Sequence, residues 1–355
     1  MAIVSNTIYE DIEVVYQNLQ AELEKIEGST WLISGGAGFL GGYFLDLLNY
    51  CNKKGFHRPC RIFCVDNFVS GTPARIRHLQ GNKYFHFISA NVKEPIKITG
   101  NIDYIIHAAS IASPPVYRKY PLETIEVNVT GLKNLLNLGR EKDLKGFLFL
   151  STSEIYGDPP PENIPTPEDY CGNVSCTGPR ACYDESKRLG ETLAINYWRQ
   201  YGMPVKTVRP FNVYGPGLRL DDKRVIPDFF RDALVKNKIT IFSNGLPTRS
   251  FCYVSDGITG FMSVLLSGYS GEAFNIGNDQ QEISIIELAK IIAQTVGGIE
   301  IVFRESGEAE YLTDNPQRRC PDLTKAKRLL GYRPQVNLET GLGRTLAWYR
   351  EAYGF

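Results

Sequence analysis

Two side chains that could carry out acid-base chemistry stand four positions apart in the segment TGPRACYDESKRLGE (177–191). Residues i and i+4 of an α-helix lie on one face, roughly 5–6 Å apart at Cβ, so Tyr183 and Lys187 are predicted to be neighbours. A phenol, with a reference pKa of about 10, is too weak a base at neutral pH, but an adjacent ammonium group favours the phenolate. The pair predicts a base for an alcohol proton, although this spacing alone is mostly an accidental surface pairing.

A glycine-rich segment supplies the context for this pair. In LISGGAGFLGG, Gly35, Gly38 and Gly41 stand between a predicted strand and a predicted helix, where glycines allow a pyrophosphate to approach the helix N-terminus. Asp66 ends the next strand and could accept a hydrogen bond from a ribose 2′-OH, while its charge would repel a 2′-phosphate. These features predict NAD as the cofactor, and its positive nicotinamide ring would also favour the phenolate. The alternative for Asp66 is capping of the next helix.

The elements that must position these residues alternate along the chain. Short runs that are apolar throughout alternate with longer segments of helical period, which is typical of a parallel sheet covered on both faces. These runs lie at 30–34, 60–65, 84–89, 104–109, 146–151 and 204–210. The sequence therefore predicts an α/β fold, a Rossmann-like doubly wound parallel sheet.

The regular alternation ends near residue 210, which predicts a smaller C-terminal lobe. An apolar stripe of helical spacing before the first strand predicts a helix that packs on its own domain or on a second subunit. The predicted parts are an N-terminal helical extension (1–28), an NAD-binding domain (29–209 and 251–277) and a nucleotide-sugar-binding lobe (210–250 and 278–355).

The amino-acid composition indicates which kinds of molecule the protein binds. The 355 residues include 39 basic and 39 acidic side chains, so no charge field favours nucleic acid or a membrane surface. Eight cysteines without CxxC spacing indicate reduced thiols, and the four histidines form no cluster with them that would hold a metal. There is neither a membrane-length apolar run nor a basic, apolar signal peptide at the start. We expect a soluble, cytoplasmic protein whose partners are small molecules.

Beyond these general features, the chain resembles the extended short-chain dehydrogenase/reductase family of NAD-dependent epimerases and dehydratases that act on nucleotide sugars. The resemblance runs from about Ser29 to the C-terminus and rests on GGAGFLGG, VDNF, HAAS, STSEIYG, YDESK, RPFNVYGP, RSFCYVSD and FNIGN. Within this family, the chain most resembles the UDP-glucuronate decarboxylases, which include the UDP-xylose synthases. Four segments carry that likeness: 109–128, TSE (152–154), 178–188 and NPQRRCPDLTKAKRLLGYRP (315–334). A 4,6-dehydratase would carry Asp-Glu at positions 153–154.

The resemblance implies a set of site residues. The implied catalytic residues are Tyr183, Lys187, Thr152, Glu154 and Arg249. The implied cofactor-binding residues are Gly35, Gly38, Phe39, Leu40, Gly41, Asp66, Asn67, Asn91, Val92, Ala108 and Lys187. The implied substrate-binding residues are Ala112, Tyr117, Ser153, Arg180, Asn212, Arg249 and Arg318. Asn91 stands where the family usually has an aspartate.

By the same resemblance, Tyr183 takes the proton of the sugar C4 hydroxyl and Thr152 bonds that oxygen. Glu154 does acid-base work near C5, and Arg249 either returns a proton to C5 or binds phosphate. Loss of CO2 from the C4 ketone and re-reduction would give UDP-xylose, or the 4-keto-pentose could be released.

Two other functions stay open from the sequence. One is an NAD-dependent 4-epimerase or a 4,6-dehydratase-like enzyme acting on another nucleotide sugar. The other is a non-catalytic NAD-binding regulator, which would have no need for Thr152, Tyr183 and Lys187. The resemblance also implies a homodimer that forms a four-helix bundle from the helices predicted in 116–136 and 183–201.

Overall fold

The computed structural model describes residues 5–307 and 313–355. Its strands are β1 (Thr30–Ser34), β2 (Arg61–Asp66), β3 (Phe85–Ser89), β4 (Tyr104–His107), β5 (Gly146–Leu150), β6 (Val205–Pro210), β7 (Val213–Tyr214), β8 (Lys238–Ile241), β9 (Thr248–Ser250), β10 (Cys252–Tyr253), β11 (Ala273–Ile276), β12 (Glu282–Ser284), β13 (Glu300–Phe303) and β14 (Arg318–Arg319). Its α-helices are α1 (Asn6–Asn18), α2 (Gln20–Glu24), α3 (Phe39–Lys54), α4 (Pro73–Ile76), α5 (Pro114–Lys119), α6 (Pro121–Glu126), α7 (Leu132–Arg140), α8 (Ala181–Tyr201), α9 (Val225–Lys236), α10 (Val254–Leu266), α11 (Ile285–Val296), α12 (Thr324–Leu330) and α13 (Leu338–Tyr353).

Seven strands form the main sheet, in the order β11-β6-β5-β4-β1-β2-β3. Every pairing in it is parallel, from Trp31 opposite Ile62 to Phe274 opposite Val208. Each of the six predicted apolar runs forms a strand of this sheet, and all five residues of β5 are buried. The predicted Rossmann-like α/β fold is confirmed.

Helices cover both faces of this sheet. One apolar core joins the sheet to α3 and α10, with Phe44 and Phe261 in contact at 6.4 Å between ring centres. The other core joins it to α7 and α8, through residues such as Leu135 and Ala194. This burial on both sides explains why the strands are apolar throughout. A π-helical turn (Val127–Gly131) connects α6 to α7.

The remaining strands form three small sheets. The central one places β9 between antiparallel β12 and parallel β14, which brings Arg249 opposite Arg319. The other two pair β8 with β13 and β7 with β10, both parallel. β10 continues directly into α10, which packs on the main sheet. The small sheets are therefore connected to the main sheet by this helix.

The first two helices pack on their own chain. The predicted apolar stripe is buried, and α1 contacts α3, α10 and α13. Asp11 accepts hydrogen bonds from the hydroxyls of Tyr43 (3.0 Å) and Tyr253 (3.0 Å) and pairs with Arg344 at 2.9 Å. A single carboxylate of α1 therefore ties together α3, β10 and α13.

Candidate active site

Tyr183 and Lys187 lie in the first two turns of α8, beside the carboxyl end of β5. Both side chains are buried, at 6% and 2% exposure. Lys187 donates a hydrogen bond through Nζ to the carbonyl oxygen of Leu150 at 2.7 Å, and Nζ lies 5.9 Å from the centre of the Tyr183 ring. The predicted pair thus shares one helix face and points at the edge of the sheet.

The pKa values of this pair are governed by burial. Burial raises the pKa of Tyr183 to about 12, against the opposing effect of a hydrogen bond with Thr152. Burial also lowers the pKa of Lys187 to about 7, with Glu191 opposing it. Without a cofactor, therefore, the pKa of Tyr183 is raised and not lowered as expected from the neighbouring Lys187. The positive ring of an oxidised nicotinamide would have to supply that effect.

Tyr117 forms a second wall of the site. Its ring stacks on that of Tyr183, with ring centres 5.1 Å apart and planes 6° from parallel. Its hydroxyl is buried and has no hydrogen-bond partner within residues 5–307 and 313–355. A buried, unpaired hydroxyl is costly, so this group is suited to bind a ligand.

A tight turn after β5 places Glu154. The Thr152 side chain accepts a hydrogen bond from the backbone N–H of Glu154 at 3.2 Å and so caps the 3₁₀ turn Ser153–Tyr156. The turn brings the Glu154 carboxylate to the start of α8, where it pairs with Arg180.

A cluster of charged side chains surrounds Glu154. Arg319 pairs with Glu154 at 3.0 Å, and Arg180 contacts both Glu154 and, at 3.6 Å, Asp184. Burial raises the pKa of Asp184 to about 7, with the Glu154 charge adding to the effect. We call Glu154, Arg180, Asp184, Arg249 and Arg319 the Glu154 cluster.

The charge state of this cluster follows from its arginines. Burial alone would raise the pKa of Glu154, but the charges of Arg319, Arg180 and Arg249 hold it below its usual value. Burial lowers the pKa of Arg249 to about 10, with the Arg319 charge adding to the effect. At neutral pH, three guanidinium groups therefore face one ionised and one partly ionised carboxylate.

Arg318, a predicted substrate-binding residue, does not join the cluster. Successive residues of a strand point to opposite faces. In β14 the Arg319 side chain is therefore buried against Glu154, whereas that of Arg318 is 46% exposed and pairs with Glu282 at 2.8 Å. Arg249 acts on Glu154 by its charge and donates its hydrogen bonds outside the cluster, to Thr248 O (2.7 Å) and Asn315 Oδ1 (3.1 Å).

The glycine loop lies between β1 and α3, as predicted. Gly35 has φ +72°, and a Cβ there would lie 2.6 Å from the backbone nitrogen of Ala109. A Cβ on Gly41 would lie 2.1 Å from the carbonyl oxygen of Gly35. The loop thus folds as it does only with glycine at these positions, and it leaves the N-terminus of α3 (Gly38, Phe39, Leu40) open to a pyrophosphate.

Asp66 ends β2 next to this loop. Its carboxylate accepts hydrogen bonds from the backbone N–H groups of Ala37 (2.9 Å) and Phe68 (2.7 Å), and burial raises its pKa. Each oxygen keeps a further lone pair, so these bonds leave room for a ribose hydroxyl.

The other predicted cofactor residues follow the same edge of the sheet. Asn67 and Asn91 each accept a hydrogen bond from the backbone two residues later, at 3.2 and 3.1 Å. Val92 is buried, and the Ala108 N–H bonds the Ser34 carbonyl oxygen at 3.1 Å. Asn67, Asn91 and Ala108 lie just after β2, β3 and β4, where ligands of such sheets bind.

The remaining predicted substrate residues are Ser153, Asn212 and Ala112. Ser153 accepts a hydrogen bond from Arg319 at 3.2 Å and is buried. Asn212 adopts φ +42° and donates to the carbonyl oxygen of Ser250 at 2.9 Å. Ala112 is exposed in the loop before α5.

Two members of the Glu154 cluster, Asp184 and Arg319, were not among the residues predicted from the sequence. Asp184 stands four residues after Arg180, a spacing that pairs charges on a helix and could have revealed it. Arg319 gave no such signal, because its orientation depends on the register of β14 against β9.

Comparison with known proteins places the chain in a family. The model of the NAD dependent epimerase/dehydratase family matches residues 31–277. The chain belongs to this family. UDP-glucuronic acid decarboxylase 1 of Xenopus tropicalis is 40% identical over 90% of this chain and 72% of its own.

Two solved structures extend the likeness. UDP-glucose 4-epimerase from Thermotoga maritima, solved with UDP-glucose, is 26% identical over 91% of this chain and 99% of its own, with TM-score 0.80. UDP-glucuronic acid 4-epimerase from Bacillus cereus, solved with UDP-glucuronic acid and NAD, is 26% identical over 91% and 100%, with TM-score 0.74. As a member of the epimerase/dehydratase family, the chain is an NAD-dependent enzyme, and the glycine loop fits that cofactor.

Proposed function

We propose that this enzyme decarboxylates UDP-glucuronate, with NAD as its cofactor. The observation that carries the proposal is the Glu154 cluster beside Tyr183, in a chain 40% identical to a UDP-glucuronic acid decarboxylase. We further propose that residues 29–209 and 251–277 bind the dinucleotide, whereas 210–250 and 278–355 bind the nucleotide sugar.

The charge of the cluster suits an anionic sugar. Three arginines face Glu154 and the partly protonated Asp184, so the pocket carries a net positive charge at neutral pH. Arginine is well matched to carboxylates and phosphates. The buried nitrogen Nε of Arg319 has no hydrogen-bond partner in the described part of the chain and is available to such a ligand. Nε of Arg180 has no hydrogen bond there either, but it lies 3.6 Å from Asp184.

In the proposed reaction, bound NAD supplies reversible acceptance of the hydride from the sugar C4. Tyr183 accepts the proton of the C4 hydroxyl, Thr152 bonds that oxygen, and Lys187 holds the nicotinamide ribose. The C4 ketone makes the sugar a β-keto acid. The C5–C6 bond then breaks, its electron pair forms the enolate, and CO2 leaves.

The enolate needs a proton at C5, and we assign its donation to a guanidinium group of the Glu154 cluster, because Glu154 itself is ionised at neutral pH. Glu154 contacts Arg319 directly at 3.0 Å. Arg249 and Arg319 are both candidates, because burial lowers the pKa of each and each already donates both terminal nitrogens to other partners. Return of the hydride to C4 and of the Tyr183 proton to the oxygen then gives UDP-xylose.

The test is incubation of the purified enzyme with UDP-glucuronate and NAD, followed by mass spectrometry of the nucleotide sugars and measurement of CO2. We expect CO2 and a UDP-pentose. UDP-xylose and the released 4-keto-pentose differ in mass by two hydrogens, so the same spectrum tells whether the product is re-reduced. A product that keeps its carboxylate would overturn the proposal.

The solved UDP-glucuronic acid 4-epimerase favours one second candidate. An epimerase would use Tyr183 and Lys187 in the same way but would return the hydride to the opposite face of an intact keto-acid. The product would then be an isomer of the substrate, which chromatography separates from UDP-glucuronate at unchanged mass.

We also propose a homodimer through a four-helix bundle built from α6 and α8 of each subunit. The two helices pack against each other, and they carry apolar side chains that are exposed in the single chain: Leu122 (71%), Ile125 (39%) and Leu189 (46%). Light scattering of the wild type and of Leu122→Glu/Leu189→Glu is the test. A dimer that the double substitution dissociates is the expected result, and a monomeric wild type would contradict it.

We propose a cytoplasmic location. All eight cysteines are free thiols, as reducing compartments maintain. Within the described residues, no helix is both long enough and apolar enough to cross a membrane. Cell fractionation with activity measured in each fraction tests this.

A further inference from the structure

A cavity of about 320 Å³ lies at the amino-terminal end of α3, beside the glycine loop. Its walls come from the glycine loop, the segment after β2, the segment after β7, and α13. The lining residues include Gly38, Phe39, Arg75, Arg219 and Trp348. No side chain of the described residues caps α3, so its first N–H groups face this cavity region with their positive partial charge. We call this space the Arg75 cavity.

Arg75 lines the cavity with most of its hydrogen-bonding capacity unused. Its side chain is 4% exposed, and Nη2 pairs with Asp46 at 2.5 Å. That carboxylate is shared with His78, which contacts its other oxygen at 2.8 Å. The remaining nitrogens of Arg75, Nε and Nη1, are buried and have no partner among residues 5–307 and 313–355. An arginine cannot lose its charge, so unpaired nitrogens in a buried place indicate an acceptor supplied by a ligand.

The surrounding residues make space for this guanidinium group. A Cβ on Gly42 would lie 2.5 Å from the guanidinium carbon of Arg75, so only glycine admits the group against α3. The Tyr43 ring lies 5.7 Å from the same carbon, in the range of a cation–π contact. Arg75 is therefore held in place on the first turns of the helix that faces the cofactor.

The charge around the cavity favours an anion. Arg77 and Arg219 also line it. Asp222, a carboxylate in the lining, is already paired with Arg224. Arg219 is likewise paired with Asp221, so the groups available to an anion are the two remaining nitrogens of Arg75, the guanidinium group of Arg77 and the N-terminus of α3. A diphosphate matches that arrangement.

We propose that Arg75 binds the pyrophosphate of the dinucleotide and sets how long the cofactor stays bound. The inference rests on the proposed function only in that it needs a dinucleotide at the glycine loop. Retention matters for a reaction that returns its hydride, because loss of reduced cofactor in mid-cycle would leave the sugar oxidised.

The test measures dissociation constants in the full-length protein for NADH by fluorescence, and for ADP-ribose and adenosine by competition. Arg75→Gln is compared with Arg75→Lys and with Arg328→Gln, a change at an exposed arginine of α12. We expect Arg75→Gln to weaken NADH and ADP-ribose about tenfold and to leave adenosine unchanged. Arg75→Lys should recover part of the loss, Arg328→Gln should match the wild type, and NADH should dissociate faster from Arg75→Gln.

A purely structural role would weaken all three ligands equally, since adenosine carries no phosphate. That result, or wild-type constants in a folded Arg75→Gln protein, would overturn the proposal; thermal melting establishes that the variant is folded. Failure of the proposed function looks different. A wild type that binds NADH but releases no CO2 removes the decarboxylase assignment and leaves the role of Arg75 intact, whereas a wild type that binds no dinucleotide removes both.

Discussion

Backbone groups line the glycine loop, whereas charged side chains from four separate segments line the pocket around Glu154. In the loop, a Cβ added to Gly35 or Gly41 would lie 2.6 or 2.1 Å from a backbone atom, so there is no room for one. In the pocket, Glu154, Arg180 and Arg319 come from three distant parts of the chain and hold one another by charge. The first arrangement is rigid and local, and the second depends on the whole fold. We therefore expect substitutions in the loop to act mainly on NADH binding, and substitutions in the pocket to act mainly on the rate of CO2 release.

The largest effect is expected at Tyr183, beside the Glu154 cluster. Tyr183→Phe removes the phenol oxygen but keeps the ring that stacks on Tyr117. We expect turnover to fall by roughly 10³-fold or more, because proton transfer at the C4 oxygen is lost. NADH binding should stay within about twofold of the wild type. Turnover within tenfold of the wild type would contradict the role given to this residue.

The next effect separates two adjacent arginines. Arg319→Gln should lower the rate of CO2 release about 10²-fold, since it removes the partner of Glu154. Arg318→Gln, the matched control, should change the rate by less than about twofold, because that side chain is 46% exposed and contacts Glu282.

Breaking a buried ion pair also destabilises the fold, so the Arg319 experiment needs a second measurement. The double variant Glu154→Gln/Arg319→Gln also removes the carboxylate that pairs with Arg180, so it should melt at a lower temperature than Arg319→Gln alone. Equal rates for the variants at 318 and 319 would show that the cluster has been assigned to the wrong residue.

A smaller effect on function is expected in the glycine loop. Gly41→Ala adds a Cβ that would meet the Gly35 carbonyl oxygen at 2.1 Å. The loop has to move, so we expect the NADH dissociation constant to rise about tenfold and the free energy of unfolding to fall by roughly 1–3 kcal/mol. Calorimetry and fluorescence titration measure the two quantities.

Gly343→Ala is the control for that experiment. Gly343 lies within α13, and nothing lies within 4 Å of its added Cβ. Alanine should stabilise this helix by up to about 1 kcal/mol and leave NADH binding unchanged. If Gly41→Ala behaves in the same way, then the loop does not require glycine.

The smallest effect on function concerns Asp11, which belongs to neither region. Burial raises its pKa to about 6 from 3.8, against the opposing charge of Arg344. Between these values the folded chain holds a proton that the unfolded chain has lost, so this group's contribution to stability falls as pH rises from about 4 to about 6. Urea unfolding of Asp11→Asn and the wild type should differ in slope within that window, by roughly 1–3 kcal/mol across it. Parallel pH profiles would contradict this assignment.

The two regions also differ in how far the sequence predicts them. The six strands lie within two residues of their predicted positions, because an apolar run bounded by turns is a local property of the chain. The glycine loop and the Tyr183–Lys187 pair likewise each lie within one short segment of the sequence. Their predicted placement at one edge of the sheet follows from the parallel order of the strands.

The cluster shows where such prediction stops. Choosing Arg319 over Arg318 requires the register of β14 on β9, and that register is set by residues about 70 positions away. The pKa of Tyr183 moves upward because Tyr117 and other distant residues bury it. The ammonium group of Lys187 four residues away is evident from the sequence, whereas the burial of Tyr183 is not.

The contact between Asp11 and Arg344 joins positions 333 residues apart. During synthesis, α1 leaves the ribosome before α13, so the Asp11 carboxylate cannot meet Arg344 until that residue has emerged. Until then, the apolar side of α1 can pack on α3 and α10 but not on α13. The ion pair between Asp11 and Arg344 therefore forms only after nearly all of the described fold has been synthesised.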